Sequence, residues 1–374
     1  MKILVGDILK SNAQTLINTV NCVGVMGKGI ALEFKNRFPE MYEDYVGRCH
    51  RGEIKPGIPY VYQTLFPPQI VNFPTKDHWK SLSKVSDIER GLQCLAEHYQ
   101  DWGITSLAIP PLGCGNGQLD WRIVGPLIYR FAKSLAIPVE IYAPYGTVPK
   151  ELTVEFLEGG AEPQMESSKR NGEAALNPAW LALVEILSRV EQQPYHWPIG
   201  RTLFQKIAYV ATSEGIPTGL GYRRSSYGPF SQDLKSVQTK LINNGLLQEE
   251  RRGNMFMVTV GPNFQRVRPK FSSFFEEWDK TLDKTADLFT RVNTDQAEVI
   301  ATVLFVAGEL KHLHHESPSE TEVLTEVMRW KQQRRPPLEP QTVASTIRNL
   351  AVLHWLDVTA DPTLPVSEDE FIPV

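Results

Sequence analysis

Residues 18–35 read Asn-Thr-Val-Asn-Cys-Val-Gly-Val-Met-Gly-Lys-Gly-Ile-Ala-Leu-Glu-Phe-Lys, and this stretch decides the fold class. The apolar run Thr15–Val20 that leads into it has the length and composition of a buried strand. The loop Cys22–Gly29 is rich in glycine, and a helical pattern opens at Ile30-Ala-Leu-Glu-Phe-Lys35. A strand passing through such a turn into a helix leaves the first helical N–H groups without intrahelical partners. Those groups and the positive end of the helix dipole favour an anion, and glycine lets a phosphate come close to the backbone. Upstream, Lys2–Leu9 is another apolar run, interrupted by Gly6-Asp7.

A second turn of the same kind is Pro110-Pro111-Leu112-Gly113-Cys114-Gly115-Asn116-Gly117. It follows the candidate strand Ser106–Ile109 and precedes a helix that begins near Asp120-Trp121. Two such turns at the ends of buried strands can bracket a diphosphate between their N–H groups; alternatively the glycines supply tight turns only. Around them, residues 1–155 alternate short apolar runs with helical patterns. The candidate strands are Lys2–Val5, Thr15–Val20, Tyr60–Thr64, Ile70–Phe73, Ser106–Ile109 and Val139–Tyr142. The candidate helices are Ile30–Phe38, Met41–Arg51, Lys84–Trp102 and Trp121–Leu135. This alternation predicts a layered α/β domain whose sheet is buried on both faces.

The 374 residues suffice for two or three domains, and 42% hydrophobic with 22% charged residues is an ordinary globular balance. No apolar run reaches the roughly 20 residues that a membrane span needs. Met1-Lys2 leads straight into a strand with no signal-peptide pattern, so a cytoplasmic location is expected. Cys22, Cys49, Cys94 and Cys114 form no Cys-x-x-Cys pair and read as free thiols. A net charge of −4 argues against a protein whose main affinity is for bulk phosphate backbone.

Residues 156–177 are rich in Gly, Glu, Ser and Asn and read as a linker. Residues 178–374 change character, with helical patterns at Ala179–Val190, Thr202–Ser213, Ser231–Asn243, Asp295–Leu313, Glu320–Lys331 and Gln341–Leu353. A helix stopped by Asn244-Gly245, then Gln248–Arg252, a Gly253-Asn254 turn and Met255–Val260, is the layout of a winged helix. Thr342–Thr359 is a weaker echo of it. The recognition helix would offer only Lys235 and Lys240, and residues 156–374 hold 23 basic and 28 acidic side chains, so a protein-binding surface is preferred to DNA binding. The cluster His312-x-His314-His315-Glu316 reads as a helix C-terminus rather than a metal site, and no metal or cofactor is expected.

Four motifs in succession, Gly6-Asp7-Ile8, Asn18-Thr19-Val20-Asn21, Gly27-Lys28-Gly29-Ile30-Ala31 and Pro111-Leu112-Gly113-Cys114-Gly115, resemble the ADP-ribose-binding motifs of macrodomains. Met-Gly-x-Gly-Ile-Ala-x-x-Phe-Lys with a later Gly-Cys-Gly is similar to the branch containing the terminal ADP-ribose glycohydrolases. Within that branch, Val20–Lys35 resembles the DarG family, antitoxins that remove ADP-ribose from DNA bases and pair with a DNA-modifying toxin. The resemblance covers about residues 1–150. The expected architecture is a three-layer α/β/α macrodomain with a mixed sheet over residues 1–155, then the linker, then a mainly helical, winged-helix-like half that binds the toxin.

The resemblance implies site roles. Asp7 accepts from the adenine amino group and the Ile8 N–H meets the ring. Asn21 holds the distal ribose, with Thr19 and Val20 beside it. Gly27, Lys28, Gly29 and Ile30 pass along the distal ribose and diphosphate, and Leu112, Gly113, Cys114, Gly115, Asn116 and Gly117 wrap the diphosphate. Tyr142 packs against a sugar or base. Two of these positions also have plain structural readings, Asp7 as a helix cap or Asx turn and Tyr142 as a core aromatic. The implied substrate is ADP-ribosylated DNA, with thymidine in single strands, and the implied partner is the cognate DNA ADP-ribosyltransferase toxin. A hydrolase of ADP-ribosylated Asp or Glu in proteins and a non-catalytic ADP-ribose reader are the other readings.

Between the two glycine turns lies Asn72-Phe-Pro-Thr-Lys76-Asp77-His78-Trp79-Lys80, at a strand end where catalytic groups usually sit. Lys76, Lys80 and Lys84 compete for the role of catalytic amine, and the family pattern is matched here to Lys80. Such a lysine, neutral, can attack the anomeric carbon; charged, it can assist the leaving base. The terminal-glycohydrolase branch carries an aspartate two residues past Gly-Cys-Gly to resolve a covalent adduct, and this chain has Gly117 there. Lys80 acting with Asn21 and without a paired carboxylate is therefore the expected arrangement. His78 is a further acid–base position, or an exposed loop histidine.

Overall fold

The computed structural model describes residues 1–159, 177–253 and 255–366. Two compact units, Met1–Asn171 and Gly172–Val374, have separate cores. The first unit runs β1 (Lys2–Val5), β2 (Thr15–Val20), α1 (Gly29–Arg37), α2 (Pro39–His50), β3 (Tyr60–Tyr62), β4 (Gln69–Pro74), α3 (Val85–His98), β5 (Leu107–Ile109), α4 (Trp121–Ser134), β6 (Val139–Ala143) and α5 (Val154–Gly159). The strands form one six-stranded sheet in the order β1-β6-β5-β2-β4-β3. All pairings are parallel except β3 with β4, so the sheet is mixed.

The side-chain period of two sorts the strands between two cores. Ile17, Val71, Phe73, Leu107, Ile109 and Ile141 face a core shared with residues of α3, α4 and α5. Leu16, Val20, Ile70, Ala108 and Tyr142 face the other core, shared with residues of α1 and α2. This is the three-layer α/β/α arrangement. A buried polar ladder crosses three strands: Asn18 Nδ2 donates to Asn72 Oδ1 at 2.9 Å, and Asn72 Nδ2 to the Tyr60 hydroxyl at 3.0 Å. Because the five parallel strands share one direction, the segments after β1, β2, β4, β5 and β6 all emerge at one edge. That carboxyl edge is where open α/β sheets bind ligands.

Several boundaries differ from the sequence reading by one to a few residues, and two of these differences change the layout of the first unit. The helix expected to reach Trp102 stops at His98, because Gly103 at φ +68° turns the chain back toward β5. Residues expected to open the linker form α5, whose Leu157 is buried in the first unit's core. The rest of the expected linker, 160–176, lies outside the described residues.

The second unit runs α6 (Pro178–Glu191), α7 (Arg201–Ser213), β7 (Arg223–Ser225), β8 (Gly228–Phe230), α8 (Leu234–Asn243), β9 (Leu247–Arg252), β10 (Met255–Val260), α9 (Phe264–Val267), α10 (Ser272–Glu277), α11 (Asp279–Arg291), α12 (Thr294–His314), α13 (Glu320–Lys331) and α14 (Pro340–Val352). In α12, Ala297–Leu304 are buried without interruption, as befits a central helix. The helix α8 and hairpin β9–β10 occur in the expected order, though Asn254 of the expected turn lies outside the described residues. In α8, Lys235 and Ser236 are exposed, while Val237, Gln238 and Thr239 are buried and Lys240 lies over the Trp180 ring at 5.2 Å. The echo at Thr342–Thr359 forms no hairpin; Thr359 bridges only to Ser319. The histidine cluster closes α12, with His315 left-handed at φ +59°. Among the described residues no helix is long and apolar enough to cross a membrane, and no three side chains are grouped as metal ligands.

Candidate active site

The loop after β2 is held open by its own first residue. Asn21 is 5% exposed; its Oδ1 accepts from the Val23 N–H at 2.9 Å and its Nδ2 donates to the Val25 carbonyl. The Tyr45 hydroxyl from α2 donates to the Asn21 carbonyl at 2.9 Å and reaches its Oδ1 at 3.1 Å. The side-chain amide of Asn21 is thus committed to shaping the loop. Beyond it, Gly27, Lys28 and Gly29 are exposed, and α1 starts with no side chain capping its N-terminus. Its first N–H groups are the anion-directed donors that the sequence pattern requires.

The second turn meets the first. A Cβ on Gly29 would stand 3.5 Å from Asn116 Nδ2. Gly113 is left-handed at φ +74°, which favours glycine. Gly117 is enclosed: a Cβ there would lie 2.2 Å from Ser83 Oγ and 2.5 Å from the Gly113 carbonyl oxygen. The family's resolving aspartate therefore has no space at this position. Asp120 does not replace it, because its carboxylate caps α4 through the Arg122 N–H at 2.9 Å and pairs with the Arg122 guanidinium.

The loop after β4 is stitched to both turns. The Cys22 N–H donates to the Asp77 carbonyl at 2.8 Å, and the Ser83 N–H to the Gly117 carbonyl at 3.1 Å. Lys76, two residues past the strand, is only 9% exposed, and its ammonium donates to the Asn116 carbonyl at 3.1 Å. Lys80 is exposed, its Nζ 4.8 Å from the Trp79 ring centroid, and its N–H donates to His78 Nδ1 at 3.1 Å. That bond makes His78 Nδ1 an acceptor. The structure thus brings Lys76, and not Lys80, against the glycine turns. The sequence had one signal for it: the first lysine beyond a strand end, directly after Thr75. Tyr45 and Ser83 carried no signal, since their contacts join segments far apart in the chain.

The remaining expected residues fall as follows. Asp7 is exposed and caps a short turn, accepting from the Leu9 N–H at 3.0 Å, while Ile8 is buried. Thr19 and Val20 stay in the β2 ladder opposite Phe73 and Pro74, just short of the mouth. Ile30 and Cys114 are half-buried, Leu112 is buried, and Gly115 is exposed. Tyr142 is 7% exposed, with its hydroxyl 3.3 Å from Glu140 Oε2, and lies in the core shared with α1 and α2. Burial, helped by Asp77, pushes the Cys22 thiol up to about 12, and burial with Asp120 does the same for Cys114. Neither is a thiolate nucleophile near neutral pH.

Asp7 and Lys76 follow β1 and β4, four strand spacings apart, about 19 Å at about 4.8 Å per spacing. Between them lie the two glycine turns. The edge therefore has room for an elongated ligand with an anionic centre, and places an amine at one end.

Comparison with known proteins agrees with this geometry. The Macro domain family model matches residues 17–128. The chain is 33% identical over 358 residues to the DNA ADP-ribosyl glycohydrolase of Mycobacterium tuberculosis, covering 92% of this chain and 91% of that one. It is 42% identical over 166 residues to a DNA ADP-ribosyl transferase–DNA ADP-ribosyl glycohydrolase fusion protein of Thermosipho africanus, covering 38% and 42%. The solved macrodomain of Mycobacterium tuberculosis DarG is 46% identical, covering 38% of this chain and 97% of that one with a TM-score of 0.37. With one third of its residues identical across nearly the whole of both chains, this macrodomain protein belongs to the DarG family of DNA ADP-ribosyl glycohydrolases.

Proposed function

We propose that this chain hydrolyses the N-glycosidic bond between ADP-ribose and a base of DNA, using Lys76 as the amine at the distal ribose. The observation that carries the reading is Lys76, buried and hydrogen-bonded to the second glycine turn, in a chain of this family. In this reading the adenine lies toward Asp7 and Ile8, the diphosphate lies between Gly27–Ile30 and Leu112–Gly117, and the distal ribose reaches Lys76. Water attacks the anomeric carbon, the carbon–nitrogen bond breaks, and the base nitrogen takes up a proton. Lys76 supplies a positive charge and a hydrogen bond to the departing base, a contribution of roughly 10²–10⁴-fold. The enclosed Gly117 and the engaged Asp120 favour this non-covalent route, since no carboxylate stands there to resolve a lysine adduct. Asn21 positions the first loop rather than touching the reacting atoms. Thymine as the base and single strands as the substrate rest on the family resemblance.

The test compares Lys76→Ala and Lys80→Ala on an ADP-ribosylated oligonucleotide. Lys76→Ala should lose at least 10²-fold in kcat/KM and Lys80→Ala less than tenfold at low salt; the reverse order overturns the assignment. Release from an ADP-ribosyl-glutamate peptide instead of the oligonucleotide defeats the DNA reading, and release from neither makes the chain a reader.

The second unit is proposed to hold the cognate transferase. Supporting this are the fused transferase of the Thermosipho relative and the excess of acids over bases in residues 156–374. The full chain carrying Lys76→Ala should still suppress DNA modification by the transferase; undiminished modification would remove this role.

A further inference from the structure

The exposed aromatic of the β4–α3 loop takes no part in the reaction described above. Trp79 is 47% exposed, between His78 at 5.3 Å between ring centroids and the Lys80 ammonium at 4.8 Å. Its place is fixed by the loop's two anchors. Asp77 is bonded to Cys22 of the first turn and Ser83 to Gly117 of the second, and Ser81 N–H donates back to the His78 carbonyl at 2.8 Å. Trp79 is two residues from Asp77, so its backbone lies within about 7 Å of the residue that is bonded to the first turn's entrance. It stands at the Lys76 end of the site, where the bond to DNA is made, and far from the Asp7 end.

We infer that His78-Trp79-Lys80 is a strand-reading element: Trp79 stacks a base adjoining the modified nucleotide, and Lys80 meets a phosphate of the same strand. The inference rests on the DNA reading proposed above. An exposed indole beside a cation matches the two components by which proteins hold single-stranded nucleic acid, an aromatic platform and a positive charge on the backbone. The Lys80 ammonium sits on a flexible four-carbon stem, so it can leave the ring for a phosphate when a base arrives. The element also supplies what the second unit's α8 does not: a cation and a flat apolar surface offered together to solvent.

The test uses the full chain and two substrates, a single ADP-ribosylated nucleoside and the same nucleoside within an oligonucleotide. Trp79→Ala should raise KM for the oligonucleotide about tenfold, leave the single nucleoside within twofold, and leave the affinity for free ADP-ribose unchanged. Trp79→Phe should recover most of the loss. Lys80→Ala should flatten the plot of log affinity for the oligonucleotide against log salt by about 0.7. Equal losses on both substrates would show a structural or modified-base role and overturn the inference, as would no change on either. If the unaltered chain releases ADP-ribose from neither substrate, the proposed DNA activity fails and this inference with it, a pattern distinct from any produced by the variants alone.

Discussion

At the carboxyl edge of the first unit, α1 begins on Gly29 with no capping side chain, whereas α6, α12 and α13 of the second unit each begin under one. Asn177 caps α6, and Asn293 with Gln296 and Ser319 with Glu322 form reciprocal capping boxes. The same contrast holds for charge. In the second unit Glu298 is buried with Lys331 at 2.7 Å and Arg334 at 3.3 Å, and Glu185 and Glu320 are gripped by arginines. The first unit's edge instead presents backbone groups of two glycine turns and a single inward ammonium. Caps alone do not divide the units, since Asp120 caps α4 at the same edge and α7, α8, α11 and α14 of the second unit start without a side-chain cap; what sets the α1 start apart is the exposed Gly27 and Gly29 beside it on the carboxyl edge of the sheet.

The largest test of that contrast removes the second unit's internal charge balance. Glu298→Ala leaves the ammoniums of Lys331 and neighbouring Lys206 buried without their carboxylate and should cost about 3–5 kcal/mol in urea unfolding. ADP-ribose binding, which draws on first-unit residues, should persist; its loss would break the contrast.

A pH experiment sharpens it. Burial, with Lys331 adding to it and Glu298 opposing, lowers Lys206 from 10.5 to about 8. Above pH 8 the folded chain releases that proton while the unfolded chain keeps it to about 10.5. The unfolded state then binds more protons, so stability from this group rises with pH across that window. Lys206→Met lacks that share. Between pH 8 and 10 the unaltered chain should gain about 2–3 kcal/mol relative to the variant in urea titrations. Parallel pH curves for the two chains would rule out a buried, depressed lysine.

On the first unit's side, Gly117→Ala drives a methyl against Ser83 and the Gly113 carbonyl. It should cost about 1–3 kcal/mol of stability and weaken ADP-ribose binding by calorimetry. Adding Ser83→Ala should restore only part, since the Gly113 carbonyl remains 2.5 Å away. The smallest effect is that of Tyr45→Phe, which removes the donor to Asn21 and should cost about 1 kcal/mol. It should loosen the first loop, visible as faster amide exchange at Val23 and Val25; unchanged exchange would mean that Asn21 holds the loop unaided.

The chain of glycines, strands and helix starts in residues 1–150 was legible because each signal is local. Strand–turn–helix patterns are written within about 20 residues, and the β1 and β2 boundaries agree with the sequence reading to the residue. The second unit was less legible. The helix α11, with its alternating charges, and the three-residue strands β7 and β8 are defined by what they pack against, not by a pattern of their own. The placement of the lysines was not legible for a related reason. Lys76, Lys80 and Lys84 share one loop and one residue type, and burial against Asn116, 40 positions away, separates them.

By itself the sequence determined the layered α/β unit, its two glycine-rich turns, the following helical half and the family, because periodicity and glycine placement act over short stretches. Tertiary structure alone decided that Lys76 faces the turns while Lys80 lies against Trp79, that Gly117 excludes a carboxylate, and that Asn21 is engaged in holding its loop. Those outcomes depend on contacts between segments brought together only when the parallel strands align their ends along one edge.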